Sequence, residues 1–392
     1  FSVAAATLAS CESPVIKSIP YVNKPEEITP GVSNWYSSAY YDGNDFANIL
    51  VKSREGRPIW LKGKRDGYTQ GGLIPRVSTS ILNLYNSSRL NGPSINKKSE
   101  SWDNIDQKIV KELSQLGTKN SKVRIVSSTV ISPSTKSVIQ EFIDKFSVSG
   151  DNNIGCEIKH VEYDAQSYHG IRKANKNIFG KSFIPNYDFS KAKTIVSINA
   201  DFICNWLLPS KFSTDYSKAR KPENGWMSKH FQFESVLSLT GANSDVRIKI
   251  KPSEEVLVAS AILSFVNNEN SKFTLNDDTT DKIQSAVKSL VENKGHSLVV
   301  AGSNDPMVQM LVNKINYQLD NYGSTIDPDN HVNLFNGNDE ILEAFQTDLL
   351  NGDIDGVIFY GVNPVYSMPN GTEVSKAISE LDFSLSFSEY MD

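Results

Sequence analysis

Cysteine is scarce in this chain: three residues in 392, at Cys11, Cys156 and Cys204. None stands in a C-x-x-C pair, and thiolates so widely spread do not make an ordinary four-cysteine iron–sulfur cluster or zinc site. Also missing is any run near the ~20 apolar residues that a bilayer-spanning helix needs. A basic excess is lacking too. Forty Lys and Arg face 45 Asp and Glu, for a net charge of −5, so the chain as a whole offers no field to a phosphate backbone and no nucleic-acid partner is expected. No G-x-S-x-G elbow occurs, which leaves serine-hydrolase chemistry without its usual signal. The five histidines are scattered. His160 and His169, with Asp164 between them, form a local group with ligand chemistry, although hydrogen-bonded histidines are the commoner outcome.

What is present is ordinary globular material, 39% apolar and 22% charged, in a chain long enough for two or three domains. The first residues stand apart. Phe1-Ser-Val-Ala-Ala-Ala-Thr-Leu-Ala-Ser-Cys11 looks like the tail of a secretory signal peptide running into a bacterial lipobox, with Cys11 as the lipidation site. The alternative is an apolar strand that ends in cysteine. A polar stretch with Pro14, Pro20, Pro25 and Pro30 follows, as a tether would, so residues 1–33 are expected to be signal remnant, anchor and extended linker. One acyl chain anchors only marginally, so partner subunits or further acyl chains are expected to help hold the protein at the membrane.

Residues 34–100 read as a β-rich segment. Asn48 to Lys62 alternates around Glu55-Gly56, the pattern of a β-hairpin. Gly71 to Arg89 carries a helical rhythm at Val77, Ile81, Leu84 and Tyr85. From 101 to 392 strands alternate with helices. Ser101 is placed to cap a helix bearing Ile105, Ile109, Leu113 and Leu116 on one face. Strands are expected at Val123–Ser127, Thr194–Asn199, Ser297–Ala301 and Gly356–Tyr360. Helices are expected at Pro133–Phe146, Asp164–Phe179, Ser253–Val266, Asp281–Asn293, Asp305–Tyr322 and Asp339–Leu350. Continuous apolar strands between amphipathic helices predict a parallel sheet covered on both faces. Leu381 to Ser388 alternates like one more strand, expected to belong to something longer than this chain. Cys156 and Cys204 read as two separate buried thiols, with a disulfide as the alternative. Ligands in such sheets bind beyond the carboxyl ends of strands, which singles out Gly302, Ser303 and Asn304 after the third strand and Gly361, Val362 and Asn363 after the fourth.

In order along the chain these phrases resemble the molybdopterin oxidoreductase family. Gly56-Arg-Pro-Ile-Trp-Leu-Lys-Gly63 is similar to its cluster-covering hairpin. Gly71 to Tyr85 with Arg89-Leu-Asn-Gly-Pro93 sits where the family has a cluster cysteine, a helix and Arg-Leu-x-x-Pro, but non-ligands fill the cysteine site around Leu73 to Ser78. Trp102-Asp-Asn-Ile105 and Val357 to Tyr366 resemble the helix opening Trp-Asp-Glu-Ala and the Gly-x-Asn-Pro loop that faces the pterin. A narrower likeness is carried by Ser238 to Ser253, Ile198 to Phe202 and the lipobox-like start. It is to bacterial alternative complex III, a quinol-oxidising respiratory assembly, and within it to the component that joins a pterin-free molybdoenzyme fold to a ferredoxin-like part.

That resemblance implies a DMSO reductase-type α/β fold with parallel sheets and a small N-terminal β-rich segment lacking the cluster cysteines. It implies no catalytic residue, no metal and no cofactor in this portion, with iron–sulfur clusters carried by a later part of the full protein. The implied partners are other subunits of a membrane complex, quinol-binding membrane subunits and haem c subunits among them, at the periplasmic face of a bacterial inner membrane. The six loop residues would then be a vestigial cofactor crevice. Two other readings stay open: a working molybdopterin enzyme that has lost only its cluster, and a tethered small-ligand binding protein. Tyr163 to Tyr168 falls near the metal-ligand region of the family, with Asp164 and Ser167 more simply read as helix caps.

Overall fold

The apolar runs become strands buried on both faces, and in the computed structural model they divide between two parallel sheets. The structure describes residues 26–147, 155–271 and 273–391. Cys11 and the linker up to position 25 lie outside the described residues.

Three strands, β1 (Ser33–Tyr41), β2 (Phe46–Arg54) and β3 (Arg57–Gly63), form an antiparallel sheet. The β2–β3 turn is Glu55-Gly56, with φ of 52° and 78°, the consecutive left-handed pair that matches the twist of a two-residue hairpin. The helical rhythm that follows gives one short helix, α1 (Pro75–Thr79), and a 3-10 turn (Ser80–Tyr85), which tuck Val77 and Ile81 beneath the sheet. After a small hairpin, β4 (Ser94–Ile95) and β5 (Lys98–Ser99), comes α2 (Trp102–Thr118). Its N-cap is Ser101, whose side chain accepts from the Asn104 amide.

The outer parallel sheet begins with β6 (Lys122–Ser127), α3 (Pro133–Phe146) and β7 (Glu157–Glu162). The chain then leaves it through α4 (His169–Phe179) and β8 (Pro185–Tyr187) to build the inner sheet. The inner sheet's elements are β9 (Thr194–Ile198), α5 (Pro209–Ala219), β10 (Lys229–Glu234), α6 (Leu239–Ala242), β11 (Val246–Lys249), α7 (Glu255–Val266), α8 (Asp277–Glu292), β12 (Ser297–Ala301) and α9 (Pro306–Gln318). After β13 (Ile326–His331), which pairs with β8, and α10 (Asp339–Leu350), the chain returns. It completes the outer sheet with β14 (Gly356–Tyr360), α11 (Pro364–Ser367), α12 (Gly371–Ser379) and β15 (Phe383–Phe387). Strand orders are β15-β14-β6-β7 and β11-β10-β9-β12, every pairing parallel.

Period-two alternation sorts the side chains. In the outer sheet Val123, Ile125, Ile158 and Ile358 pack with Leu113 and Leu116 of α2, while Val126, Val161, Val357 and Phe359 pack with Phe345, Leu349 and Val374 of α10 and α12. In the inner sheet Val196, Ile198, Phe231, Phe233 and Val299 face α7, α8 and α9, and Ile195, Leu298 and Val300 face Phe189, Phe202, Trp206 and Phe212.

Several expectations are corrected. The four strand candidates do not share one sheet: two stand in each. α4 begins at His169 because the Asp164 carboxylate is bonded to Thr129 and Gly337 rather than capping a helix. The alternating stretch near position 385 is a strand as expected, β15, and pairs with β14 over Phe383–Phe387. Cys156 and Cys204 are both free thiols; Cys156 is buried as expected, but Cys204 is exposed.

Candidate functional site

The two glycine loops end β12 and β14, at the carboxyl edges of different sheets. Gly302 closes against the loop after β9: its amide donates to Ile198 O at 2.8 Å, and a Cβ there would meet Asn199 O at 2.3 Å. Ser303 Oγ accepts from the Asp305 amide at 3.2 Å. Asn304 reaches across to α4, its Oδ1 accepting from Gly170 N at 2.7 Å and its Nδ2 donating to Asp339 Oδ2 at 2.9 Å. The other Asp339 oxygen takes the Ser167 hydroxyl at 2.7 Å. In the second loop, Gly361 has φ of 64°, a region that suits glycine. Val362 packs on the outer-sheet core. Asn363 caps α11 by accepting from Tyr366 N at 3.1 Å, and Ser367 in that turn meets the Tyr163 hydroxyl at 2.7 Å.

Between the loops runs the segment that follows β7. Asp164 is its hub, accepting from Thr129 N at 3.1 Å, Thr129 Oγ1 at 2.9 Å and Gly337 N at 2.9 Å. Burial pushes its carboxyl above the usual aspartate range, with those hydrogen bonds acting against the rise. Arg172 donates to the carbonyls of Asn336 and Gly337, and burial lowers its pKa. Ser167 Oγ accepts from His169 N at 3.1 Å, a local turn just ahead of α4. Tyr168 holds the cap position without a side-chain bond. Its hydroxyl instead ties the β9–α5 loop, donating to Asn205 O and accepting from Leu207 N.

A pterin dinucleotide carries diphosphate groups, which favour helix N-termini and guanidinium forks. Here the Gly170 amide is taken by Asn304, Arg172 is turned to two carbonyls, and Lys173 bridges Glu340 at 2.6 Å. Asp305 and Asp339 add negative charge at the same end. An orphan remains in His169, whose two ring nitrogens are buried with no hydrogen-bond partner among the described residues, but one imidazole does not offset those carboxylates. The residues present do not fit a diphosphate-bearing cofactor. Among the described residues no group of three or more His, Cys, Asp or Glu is arranged to hold a metal. The His160–Asp164–His169 trio disperses, with His160 Nε2 against Ser127 Oγ at 2.7 Å.

A second polar system escapes the sequence reading. Along one face of β10, His230, Gln232 and Glu234 are all buried. Arg247 Nε donates to Glu234 Oε1 at 2.5 Å, Gln232 Nε2 to Glu234 Oε2 at 3.3 Å, and His230 Nε2 lies 3.1 Å from Gln232 Oε1. Glu234, in its ion pair with Arg247, only accepts. It therefore turns the Gln232 carbonyl toward His230 and places the imidazole proton on Nε2. Nδ1 then faces the Tyr216 hydroxyl at 3.2 Å, which is also 2.9 Å from Asn243 O. Glu234 further anchors Ser238 through Oγ at 2.6 Å. Asp201 Oδ1 accepts from Thr240 N at 3.0 Å and Thr240 Oγ1 at 2.6 Å. The Ile198–Phe202 and Ser238–Ser253 phrases are thus packed on one another.

No protein-family model matches this sequence, and neither does any curated protein. Among solved structures the chain is similar to acetylene hydratase from Pelobacter acetylenicus, with a TM-score of 0.62 at 10% identity over 90% of this chain. It spans 60% of that chain's length. A likeness at this identity speaks to the fold. The chain has the mixed α/β fold, parallel sheets flanked by helices, of a molybdopterin oxidoreductase-family enzyme.

Proposed function

We propose that this chain is a non-catalytic structural portion of a membrane-bound quinol-oxidising complex of the alternative complex III type. In this reading it docks partner subunits, among them quinol-binding membrane subunits and haem c subunits, at the periplasmic face of a bacterial inner membrane. Cys11 carries a lipid anchor, and iron–sulfur clusters reside in a later part of the full protein. The observation that carries the reading is the closure of the carboxyl-end loops on the chain's own residues. Asn304, Asp339, Ser167, Asp164 and Arg172 satisfy one another or nearby backbone where an enzyme of this fold would present groups to a cofactor. The three cysteines, all far apart in sequence, support it.

The unpartnered imidazole of His169 favours a second reading, an active molybdopterin-dependent oxidoreductase without the N-terminal cluster. One experiment separates the two: elemental analysis of the purified chain for molybdenum, tungsten and iron, with fluorescence of acid-released pterin. The structural reading expects neither metal nor pterin above background. Stoichiometric metal together with pterin would overturn it.

A further inference from the structure

Charge is unevenly spread along this chain. From Phe46 to Asp66 six basic residues (Lys52, Arg54, Arg57, Lys62, Lys64 and Arg65) stand against Glu55 and Asp66, in a protein of net charge −5. Four of the six, Lys52, Arg54, Arg57 and Lys62, lie on β2 and β3 of the antiparallel sheet, together with exposed aromatic rings. Its register sets Trp35 opposite Lys52 and Lys52 opposite Trp60, so two indoles flank one lysine on the same face. The Lys52 ammonium lies 5.9 Å from the centre of the Trp35 ring. Trp35 is 45% exposed and Trp60 61%, whereas the opposite face covers its own core through Ala47, Ile49 and Leu61. At the hairpin end Val32 and Ile59 are exposed as well, as are Leu82, Leu84 and Tyr85 of the 3-10 turn. The Tyr85 hydroxyl donates to Pro58 O at 2.5 Å, which holds that turn against β3. A concentration of this kind on a folded surface marks an interaction site.

Basic and aromatic side chains together suit an anionic membrane surface, a single-stranded nucleic acid or a protein. Three strands ~4.8 Å apart and about nine residues long give a face on the order of 400 Å², half of the ~800 Å² that each side of a standard protein interface buries. Nucleic acid needs ring faces for base stacking along a groove. Here the rings share the site with Val32, Ile59, Leu82 and Leu84, which offer no stacking surface but enter the headgroup–acyl boundary readily. Indoles sit by preference at that boundary, and Lys and Arg pair with lipid phosphates there.

We propose that the outer face and hairpin end of the β1–β3 sheet dock on an anionic lipid bilayer, with Trp35 and Trp60 in the headgroup layer and Lys52, Arg54, Arg57 and Lys62 against the phosphates. This contact stands apart from the structural role proposed above and needs no acyl group.

The test is co-sedimentation of the whole chain, carrying Cys11→Ser so that no lipid modification contributes. The vesicles are phosphatidylcholine alone or phosphatidylcholine with phosphatidylglycerol, at low and high salt. Binding is expected to the anionic vesicles only, to weaken with salt, and to fall about fivefold for each of Lys52→Gln, Arg54→Gln and Arg57→Gln. A Trp35→Ser/Trp60→Ser double variant is expected to lose most of the binding while keeping its unfolding midpoint, since both rings are exposed. No binding, equal binding to neutral vesicles, variants that bind like the parent, or displacement by a single-stranded oligonucleotide would each overturn the proposal.

Discussion

Asp45 and Ser210 stand 165 positions apart and share a hydrogen bond, the Ser210 hydroxyl donating to the Asp45 carboxylate. The contact lies in the seam between the N-terminal sheet and α5, where Gly72 also approaches so closely that a Cβ would meet Ser210 O at 1.8 Å. Asp45 is fully buried. Around it are Asp42 and Tyr40 of the same sheet, Arg76 of α1, and Tyr168 at the start of α4.

Burial raises Asp45 to about 6 from 3.8. An acid with a raised folded pKa costs stability above that value, where the buried group is charged. The cost disappears below the unfolded value, where both states are protonated. Asp45→Asn is therefore expected to stabilise the chain by roughly 1–3 kcal/mol at neutral pH and to lose that advantage by about pH 4. Urea unfolding of both proteins across this range checks it, and parallel pH profiles would refute it.

His230 predicts the opposite slope. Burial lowers its imidazole from 6.5 to about 4, with the Gln232 contact acting against the fall. Its contribution is complete above the unfolded value and is lost as pH falls through the folded one, so acid weakens the inner sheet by up to about 3 kcal/mol through this group. NMR titration is expected to find His230 neutral down to about pH 4 with its proton on Nε2. Titration near 6.5 in the folded protein would be inconsistent with the buried ladder.

Gly302→Ala tests how closed the β12 loop is. Its Cβ would meet the backbone oxygen of Asn199, which cannot swing aside as a side chain can. A loss of about 1–3 kcal/mol is expected. Gly92→Ala, with nothing within 4 Å of the added carbon, is the control and should unfold like the parent.

Asp164→Ala leaves the Thr129 amide, the Thr129 hydroxyl and the Gly337 amide without their acceptor. Buried orphaned donors cost about 1–3 kcal/mol each, so the variant should be destabilised by several kcal/mol. Amide exchange at positions 129 and 337 is expected to accelerate most. Unchanged exchange there would remove Asp164 from the role of hub.

Much of this architecture is legible because burial on both faces writes itself as uninterrupted apolar runs. Gly356–Tyr360 and Ser297–Ala301 stand out for that reason, and α3 and α10 by their helical period. β10 does not stand out, because His230, Gln232 and Glu234 make it read as a surface segment. The hydrogen-bond ladder that lets them be buried runs among these three residues and closes on Tyr216 and Arg247, on the flanking α5 and β11, a packing that no alternation pattern announces. The division into two sheets is hidden for a related reason: strand identity is local, whereas strand order is set by which helices pack where. At the candidate site the loops can be located, but not their partners. Asn304 is satisfied by Gly170 and Asp339, 134 and 35 positions away, a relation that no local pattern encodes.

The outer sheet is interrupted, and that bears on how the chain is made. The Lys122 amide at the start of β6 bonds to Asp355, 233 positions later, while the inner sheet draws its four strands from Thr194 to Ala301 alone. During synthesis the inner unit has all its strands first, and β6 waits for β14 with one edge bare. Contacts that close so long a loop form slowly, and an unsealed apolar strand is a site of misassembly. β14, which seals the first parallel strand, is thus made only after the whole inner unit.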